Sequence, residues 1–283
     1  MPTIKHLQVV SGSQDVTFTS PNQFTFRMPN SYISGNRDRL SLKSLFMYYS
    51  WFNITAAKNN NSFSYIWSNG TTYPVVLSDG IWSFADLQAY LQQVMKLNNH
   101  YLTDATGTDQ FYLSIQANSV SYRISLTSTP VPTALPAGWT APGGFAYPGV
   151  ATTPRLIVPA TAFQAFTGFV AATYPAAVQA TIYQVNSTNI PQVTDSSSLQ
   201  LLTNLAYNEY APDQRTLTSF NLTPGTVPGT LISQVPPYQD WVAVQPNTGF
   251  QTITLLLVDQ LSRAVKIEDP SGFICTLNLE TSN

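Results

Sequence analysis

Two histidines, His6 and His100, and one cysteine, Cys275, are the side chains best suited to nucleophilic or metal chemistry. A nucleophile needs a base within hydrogen-bond reach, most often histidine, and a structural zinc needs four ligands. These three residues lie far apart in sequence, and no Gly-x-Ser-x-Gly turn marks an activated serine. Asp79, Asp86, Asp104 and Asp109 fall close enough along the chain to suggest a pair of glycosidase carboxylates. Turn and helix-capping roles account for Asp79 and Asp86, and loop polarity for the other two. The stretch DATGTDQ (Asp104–Gln110) is rich in oxygen, like a calcium loop, but it lacks the EF-hand spacing and its glutamate. No glycine-rich phosphate cradle is present. Cys275 sits between Ile274 and Thr276 in a β-prone run, where a buried, inert thiol is expected. The sequence therefore assigns no catalytic residue, no cofactor and no metal.

What must position these residues is an unusually uncharged chain. Only 9% of its 283 residues are charged, while 43% are hydrophobic and 12% aromatic. Ordinary soluble domains carry about 25% charge. Asn, Gln, Ser and Thr take the place of the missing charge, and the aromatic content argues against disorder. A surface this neutral does little to keep copies apart and suits neighbours better than water. The net charge is −2, and no stripe of Lys and Arg offers an electrostatic footprint for nucleic acid. Arg37, Arg39 and Lys43 form a small basic cluster that reads as a solvated loop. One cysteine excludes an intrachain disulfide. No run reaches 18 apolar residues, so no membrane-spanning helix is expected. The opening MPTIKHLQVVSG lacks a signal-peptide core, which suggests folding in a reducing cell interior. The sequons at Asn53, Asn60, Asn69, Asn186 and Asn221 then read as unused.

Most of the chain reads as short strands punctuated by Gly, Pro, Asn and Asp. QFTFRM alternates Phe24, Phe26 and Met28 on one face, and SLKSLFMYYSWFNIT (Ser41–Thr55) is a long β-prone run. Asn69-Gly70 predicts a hairpin between SFSYIW and TTYPVVL. Residues Phe111–Thr127 split into two strands about Ala117–Ser119, with Val120, Tyr122, Ile124 and Leu126 on one face of the second. One segment is helical: Ser83 is the N-cap, Asp86 completes a capping box, and Phe84, Leu87, Leu91, Val94 and Met95 form the apolar stripe. From 128 to 154 the sequence is Pro/Gly-rich and uncharged, and predicts an ordered loop or small insertion subdomain. A second irregular region covers about 186–238. The C-terminal part predicts strands at Gln251–Val258, Ala264–Ile267 and Phe273–Leu279. These elements suggest one all-β domain over 1–283, a single jelly-roll β-sandwich with a helix in a connection and long loop insertions.

Three stretches in order, together with SLFMYYSWFNIT, carry a resemblance. They are YPVVLSDGIWSFADLQAYLQ, RLIVPATAFQAFTGFVAATYP and ITLLLVDQLSRAVKIEDPSGFICTLNLE. The chain resembles penton (minor capsid) proteins of virophages and polinton-like double-jelly-roll DNA viruses, over roughly Leu40–Glu280. The resemblance implies a structural, non-enzymatic virion protein: an upright jelly roll whose homopentamer closes the fivefold vertex beside a double-jelly-roll major capsid protein. It leaves a host-surface receptor open as a further partner. In the second stretch RLIV is expected to enter a strand, Phe163 and Phe166 to anchor a helical turn, and Gly168 to admit another backbone. Candidate subunit or loop contacts are Trp139, Phe145, Tyr147, Phe166, Phe169 and Tyr174. The N-terminal stretch Met1–Gln14 is expected to reach the major capsid protein or the capsid interior, so that its deletion spares the jelly roll but reduces incorporation at the vertex. A different class of reading is a viral attachment or glycan-binding sandwich, in which the aromatic loop Trp139–Tyr147 stacks on sugars.

Overall fold

The structure is a computed structural model, described for residues 2–281 apart from 21, 194–195, 197, 212 and 223–225. It is all-β, and its chain divides into two compact units, Met1–Phe52 with Ser196–Asn283 and Asn53–Asp195. The first unit begins with β1 (Thr3–Val10), β2 (Val16–Ser20), β3 (Gln23–Ile33) and β4 (Arg39–Tyr48). The second holds β5 (Ser62–Ile66), β6 (Thr72–Val76), α1 (Phe84–Leu97), β7 (Tyr101–Thr103), β8 (Asp109–Phe111), β9 (Leu113–Asn118) and β10 (Arg123–Ser128). It continues with β11 (Arg155–Val158), α2 (Phe163–Thr167), β12 (Ala172–Tyr174) and β13 (Tyr183–Asn186). The chain then returns to the first unit with β14 (Ser198–Thr203), β15 (Ala206–Tyr207), β16 (Thr216–Asn221) and β17 (Leu231–Gln234). It ends with β18 (Val242–Val244), β19 (Gly249–Asp259) and β20 (Ile274–Thr281).

The first unit is a jelly roll. One sheet runs β1-β20-β4-β18-β15, with β17 also paired to β4; the other runs β16-β14-β19-β3-β2. β17 pairs with Leu45–Tyr48 and β18 with Arg39–Leu40, so the two share one position beside β4. Pro236 and Pro237 lie between them and cannot donate to a ladder. With β17 and β18 taken as one strand, and β2 and β15 as extensions, eight strands remain. The first, eighth, third and sixth form one sheet, and the second, seventh, fourth and fifth form the other. That crossing order is a jelly roll. Its fourth strand, β14, follows its third, β4, only after the whole second unit, which therefore occupies a single connection in the chain.

Alternation builds the core between the sheets. Leu40, Leu42, Leu45, Met47, Cys275, Leu277 and Leu279 face Phe24, Leu199, Leu201, Leu217, Ile253, Leu255 and Leu257 in one cluster. In β4 the inward positions change from even to odd between Leu42 and Leu45. The cause is a bulge: Thr276 pairs with Ser44 and Leu277 with Leu42, leaving Lys43 as the extra residue, exposed. A second bulge between Phe250 and Thr252 does the same in β19. Phe24 and Phe273 stack at 3.7 Å between centroids.

Two expectations change in this unit. Met1–Gln14 is not a dispensable arm: β1 pairs with β20 along all eight of its residues and buries Val9 completely, while Met1 lies outside the described residues. Ala264–Ile267 forms only a single bridge, Ala264 to Val258, although Val265 and Ile267 are buried. Of the irregular region 186–238, residues 194–195, 197, 212 and 223–225 lie outside the described residues.

In the second unit the sheets run β13-β10-β9 and β12-β11-β5-β6, with a small pair β7-β8. The Asn69-Gly70 hairpin is present, with Gly70 at φ 82° and Asn69 Oδ1 accepting from Thr71 N–H. Pro74 sits in β6, an edge strand, where its missing N–H leaves no gap in the ladder. Helix α1 starts at Ser83, whose Oγ accepts from Asp86 N–H while Asp86 Oδ2 accepts from Ser83 N–H. Leu87, Leu91 and Met95 are buried beneath it. The β9–β10 turn falls later than expected. Tyr122 adopts φ 53°, Val120 and Tyr122 are 90% and 75% exposed, and only Ile124 and Leu126 of the four point inward.

Candidate functional site

The residues that could do chemistry are already occupied. His6 Nδ1 lies 2.8 Å from Asn278 Oδ1, a cross-strand pair between β1 and β20. His100 is buried in an aromatic box: it stacks on Trp67 at 4.1 Å, meets the edge of Tyr73 at 4.5 Å, and its Nδ1 lies 2.8 Å from Tyr65 Oη. Burial pushes its imidazole down to about 4. Burial likewise raises the Cys275 thiol, which is fully covered and far from thiolate character at neutral pH.

The aspartates are turn builders. Asp104 Oδ1 accepts from Thr106 N–H, Thr106 Oγ1 and Thr108 N–H, and its Oδ2 accepts from Gln110 Nε2. The Thr106 hydroxyl and then the Thr108 N–H hold its carboxyl at about 2. Asp109 pairs with Lys96 at 2.5 Å and Thr103 Oγ1 at 2.9 Å, and Asp79 Oδ1 accepts from Ala56 N–H. Among the described residues no three His, Cys, Asp or Glu side chains gather as metal ligands would. In the first unit, Asn36, Arg37, Asp38, Arg39, Ala243 and Glu280 line an open groove of about 410 Å³. Its ions are largely spoken for: Arg39 bonds Glu280 at 2.7 Å and lies over Trp241, and Asp38 accepts from Gly35 N–H and Tyr32 Oη.

The Pro/Gly-rich stretch 128–154 belongs to the second unit and, past Ser128 at the end of β10, has no helix or strand. It is held by bridges Val131–Thr152 and Thr103–Thr140. Trp139 and Phe145 are half-buried against the unit's core, Phe145 edge-on to Trp67 at 6.1 Å and 4.8 Å from Tyr147. These rings cover a core and are not free platforms. Tyr174 is also half-buried, 5.1 Å from Phe169. Phe166 and Phe169 require a correction: at 2% and 1% exposed they are core residues and cannot offer their rings to another molecule.

The segment around them follows its sequence closely. RLIV is β11, and α2 is anchored by buried Phe163 and Phe166. Gly168, at φ 76°, ends the helix where a Cβ would lie 2.3 Å from the Asn189 carbonyl oxygen. The backbone that Gly168 admits is thus the chain's own. Sequence reasoning missed the exposed apolar residues just beyond, Val178 and Ile182, at 54% and 64%. The uncharged run AAVQATI was the available signal, since a loop normally carries polar tips.

Along α1 the second unit carries an open groove of about 340 Å³ lined by Phe84, Ala85, Gln88, Ala89, Gln116 and Ala117, among others. None of its lining residues is charged. Gln88 Oε1 accepts from Ile115 N–H at 2.6 Å, which caps the edge of β9, while its shielded Nε2 has no partner among the described residues. The second unit thus presents a neutral groove along α1 and exposed aliphatic residues at Val178 and Ile182.

The architecture is that of a jelly-roll protein with a β-rich unit set into one connection. No family model and no curated protein matches the chain. Among solved structures it is similar to the selenomethionine-labelled penton protein of mavirus, with a TM-score of 0.50 and 10% identity over 100% of this chain and 99% of that one. The Sputnik virophage structure determined by cryo-EM aligns at a TM-score of 0.39 and 14% identity, over 99% and 98% of the two chains, too loosely to define a fold. The chain has a penton-like, all-β jelly-roll fold.

Proposed function

We propose that this chain is a structural virion protein, a penton that forms a homopentamer at the fivefold vertices of an icosahedral capsid beside a double-jelly-roll major capsid protein. It assembles inside the host cell and acts by packing rather than by catalysis. The observation that carries this reading is the jelly-roll strand order with one inserted unit, in a fold matching the mavirus penton protein from end to end. The scarcity of charge supports it. Subunit flanks without ions avoid burying unpaired charges, whose desolvation can exceed their mutual attraction. A fivefold ring needs heterologous contacts that close on rotation, and weak contacts multiplied around it make a stable vertex. The jelly roll is the body of this penton, and the second unit is an elaboration of one of its connections. Trp139, Phe145, Tyr147 and Tyr174, each half-buried, remain the candidate contacts of this reading.

Mass measurement of the purified protein, alone and mixed with its major capsid partner, tests the proposal. A species of five chains, or incorporation at the corners of reconstituted shells, is expected. A monomer in both conditions, absent from every shell, would overturn it.

A further inference from the structure

We propose that the α1 groove of the second unit receives the loop 176–182 of a neighbouring copy, and that this contact closes the ring; the inference rests on the vertex reading above. The three-stranded sheet β13-β10-β9 sets the geometry. The groove flanks β9 at one edge, lined by Ala85, Gln88 and Ala89 of α1 and by Gln116 and Ala117 of β9. The loop leads into β13 at the opposite edge. The loop and the lining of this groove therefore flank opposite edge strands of one sheet. That is the arrangement a head-to-tail contact requires, whereas a two-fold contact would pair a patch with itself.

Chemistry matches the two surfaces. From Ile124 to Thr194 the only charged side chain in the sequence is Arg155, so the loop approaches without an ion. The groove has none to offer, and a second groove sharing Phe84 and Ala117 extends it to Tyr122, Ile190 and Pro191. The charge there, Arg123, is turned onto the carbonyls of Ser187 and Thr188. Placing a charged peptide or a nucleic acid in this trough would leave its ions without partners, whereas Val178 and Ile182 gain by leaving water. The loop is pre-ordered for the task. Gln179 N–H donates to Thr153 Oγ1, Thr153 N–H donates to the Gln179 carbonyl, and Arg155 Nη1 donates to the Ala176 carbonyl. Little entropy remains to be lost on docking.

Paired cysteines read this contact directly, because the native Cys275 is fully buried. The double variant Ala89→Cys with Ile182→Cys should give a ladder of disulfide-linked chains on mild oxidation. A mixture of the two single variants should give dimers only, and each single variant alone should give none. Ala89→Arg, on an exposed helical position where arginine keeps good helix propensity, should weaken self-association at least tenfold with the far-ultraviolet circular dichroism unchanged. A pentamer by mass that shows no cross-link, or that tolerates Ala89→Arg, overturns this contact and leaves the vertex reading standing. A monomer under every condition overturns both.

Discussion

At the residue scale, His100 shows how a group able to do chemistry becomes structural. Its ring is the filling between Trp67, Tyr65 and Tyr73, and burial pushes its imidazole down to about 4 from an ordinary 6.5. The unfolded chain thus binds a proton there that the folded chain refuses. Stability from this site is complete above about pH 6.5 and is lost as pH falls toward 4, because the unfolded state then holds more protons. The whole shift is worth about 3 kcal/mol, an upper value because the aromatic faces partly favour an imidazolium. Asp86, Asp104, Asp109, Asp213 and Asp269 are all held below the ordinary carboxylate value, chiefly by side-chain hydrogen bonds. Their loss begins only near and below 3.8, so the two windows separate. Urea unfolding followed by tryptophan fluorescence should show the midpoint dropping between pH 6.5 and 4.5. His100→Gln should be less stable at pH 7.5 and nearly flat over that interval; an equally steep variant would show the slope comes from elsewhere.

Strands and helices differ in how much of themselves they wrote into the sequence. Helix α1 and the Asn69-Gly70 hairpin were legible because their signals are local: an N-cap hydroxyl three residues before a carboxylate, and a dipeptide that tolerates positive φ. The strand expected to contain Val120 and Tyr122 was not legible, because those β-prone residues sit in a turn that the pairing of Arg123 with Asn118 imposes. The long run after Ser41 stops pairing with β20 and β17 at Tyr48, yet Tyr49 and Trp51 remain buried 4.2 Å apart, so its hydrophobicity reports packing rather than ladder. Least legible was β1. Its partner lies at the other end of the chain, as the His6–Asn278 pair shows across 272 residues, and nothing local announces such a pairing. Deleting residues 2–10 uncovers the edge of β20 and the core above Val9, Leu7 and their neighbours. The jelly roll should then fail to fold cooperatively, and the truncated chain should aggregate and bind hydrophobic dyes. A sharp, wild-type-like thermal transition in that truncation would mean the strand adds nothing to the sandwich. Removal of an exposed arm would predict the opposite result, so the experiment separates strand from arm.

For the whole molecule, the deciding property is the near absence of charge. The entire chain has only 12 basic and 14 acidic residues, and ten of them pair with one another, as Arg39–Glu280, Lys96–Asp109, Arg215–Asp213, Arg263–Asp259 and Lys266–Glu268. Ion pairs with an exposed partner add little stability, and pairing lowers further the small number of charges able to steer or repel a neighbour. The neutral surface was visible in composition; which apolar side chains it exposes was not, because candidate rings such as Phe166 and Phe169 turned inward while aliphatic residues such as Val178 and Ile182 stayed out. Assembly driven by such a surface should depend on salt in a particular way. Screening, with a Debye length of about 10 Å at 0.1 M and about 3 Å at 1 M, has almost nothing to act on. Raising sodium chloride from about 0.05 to about 0.5 M should therefore change the association constant less than threefold. Sulfate, excluded from apolar and amide surface, should strengthen association at equal ionic strength. Sedimentation velocity across both salts makes the comparison. Dissociation by sodium chloride alone would mean that ion pairs hold the copies together, and a contact built on neutral grooves and loops would then be the wrong one.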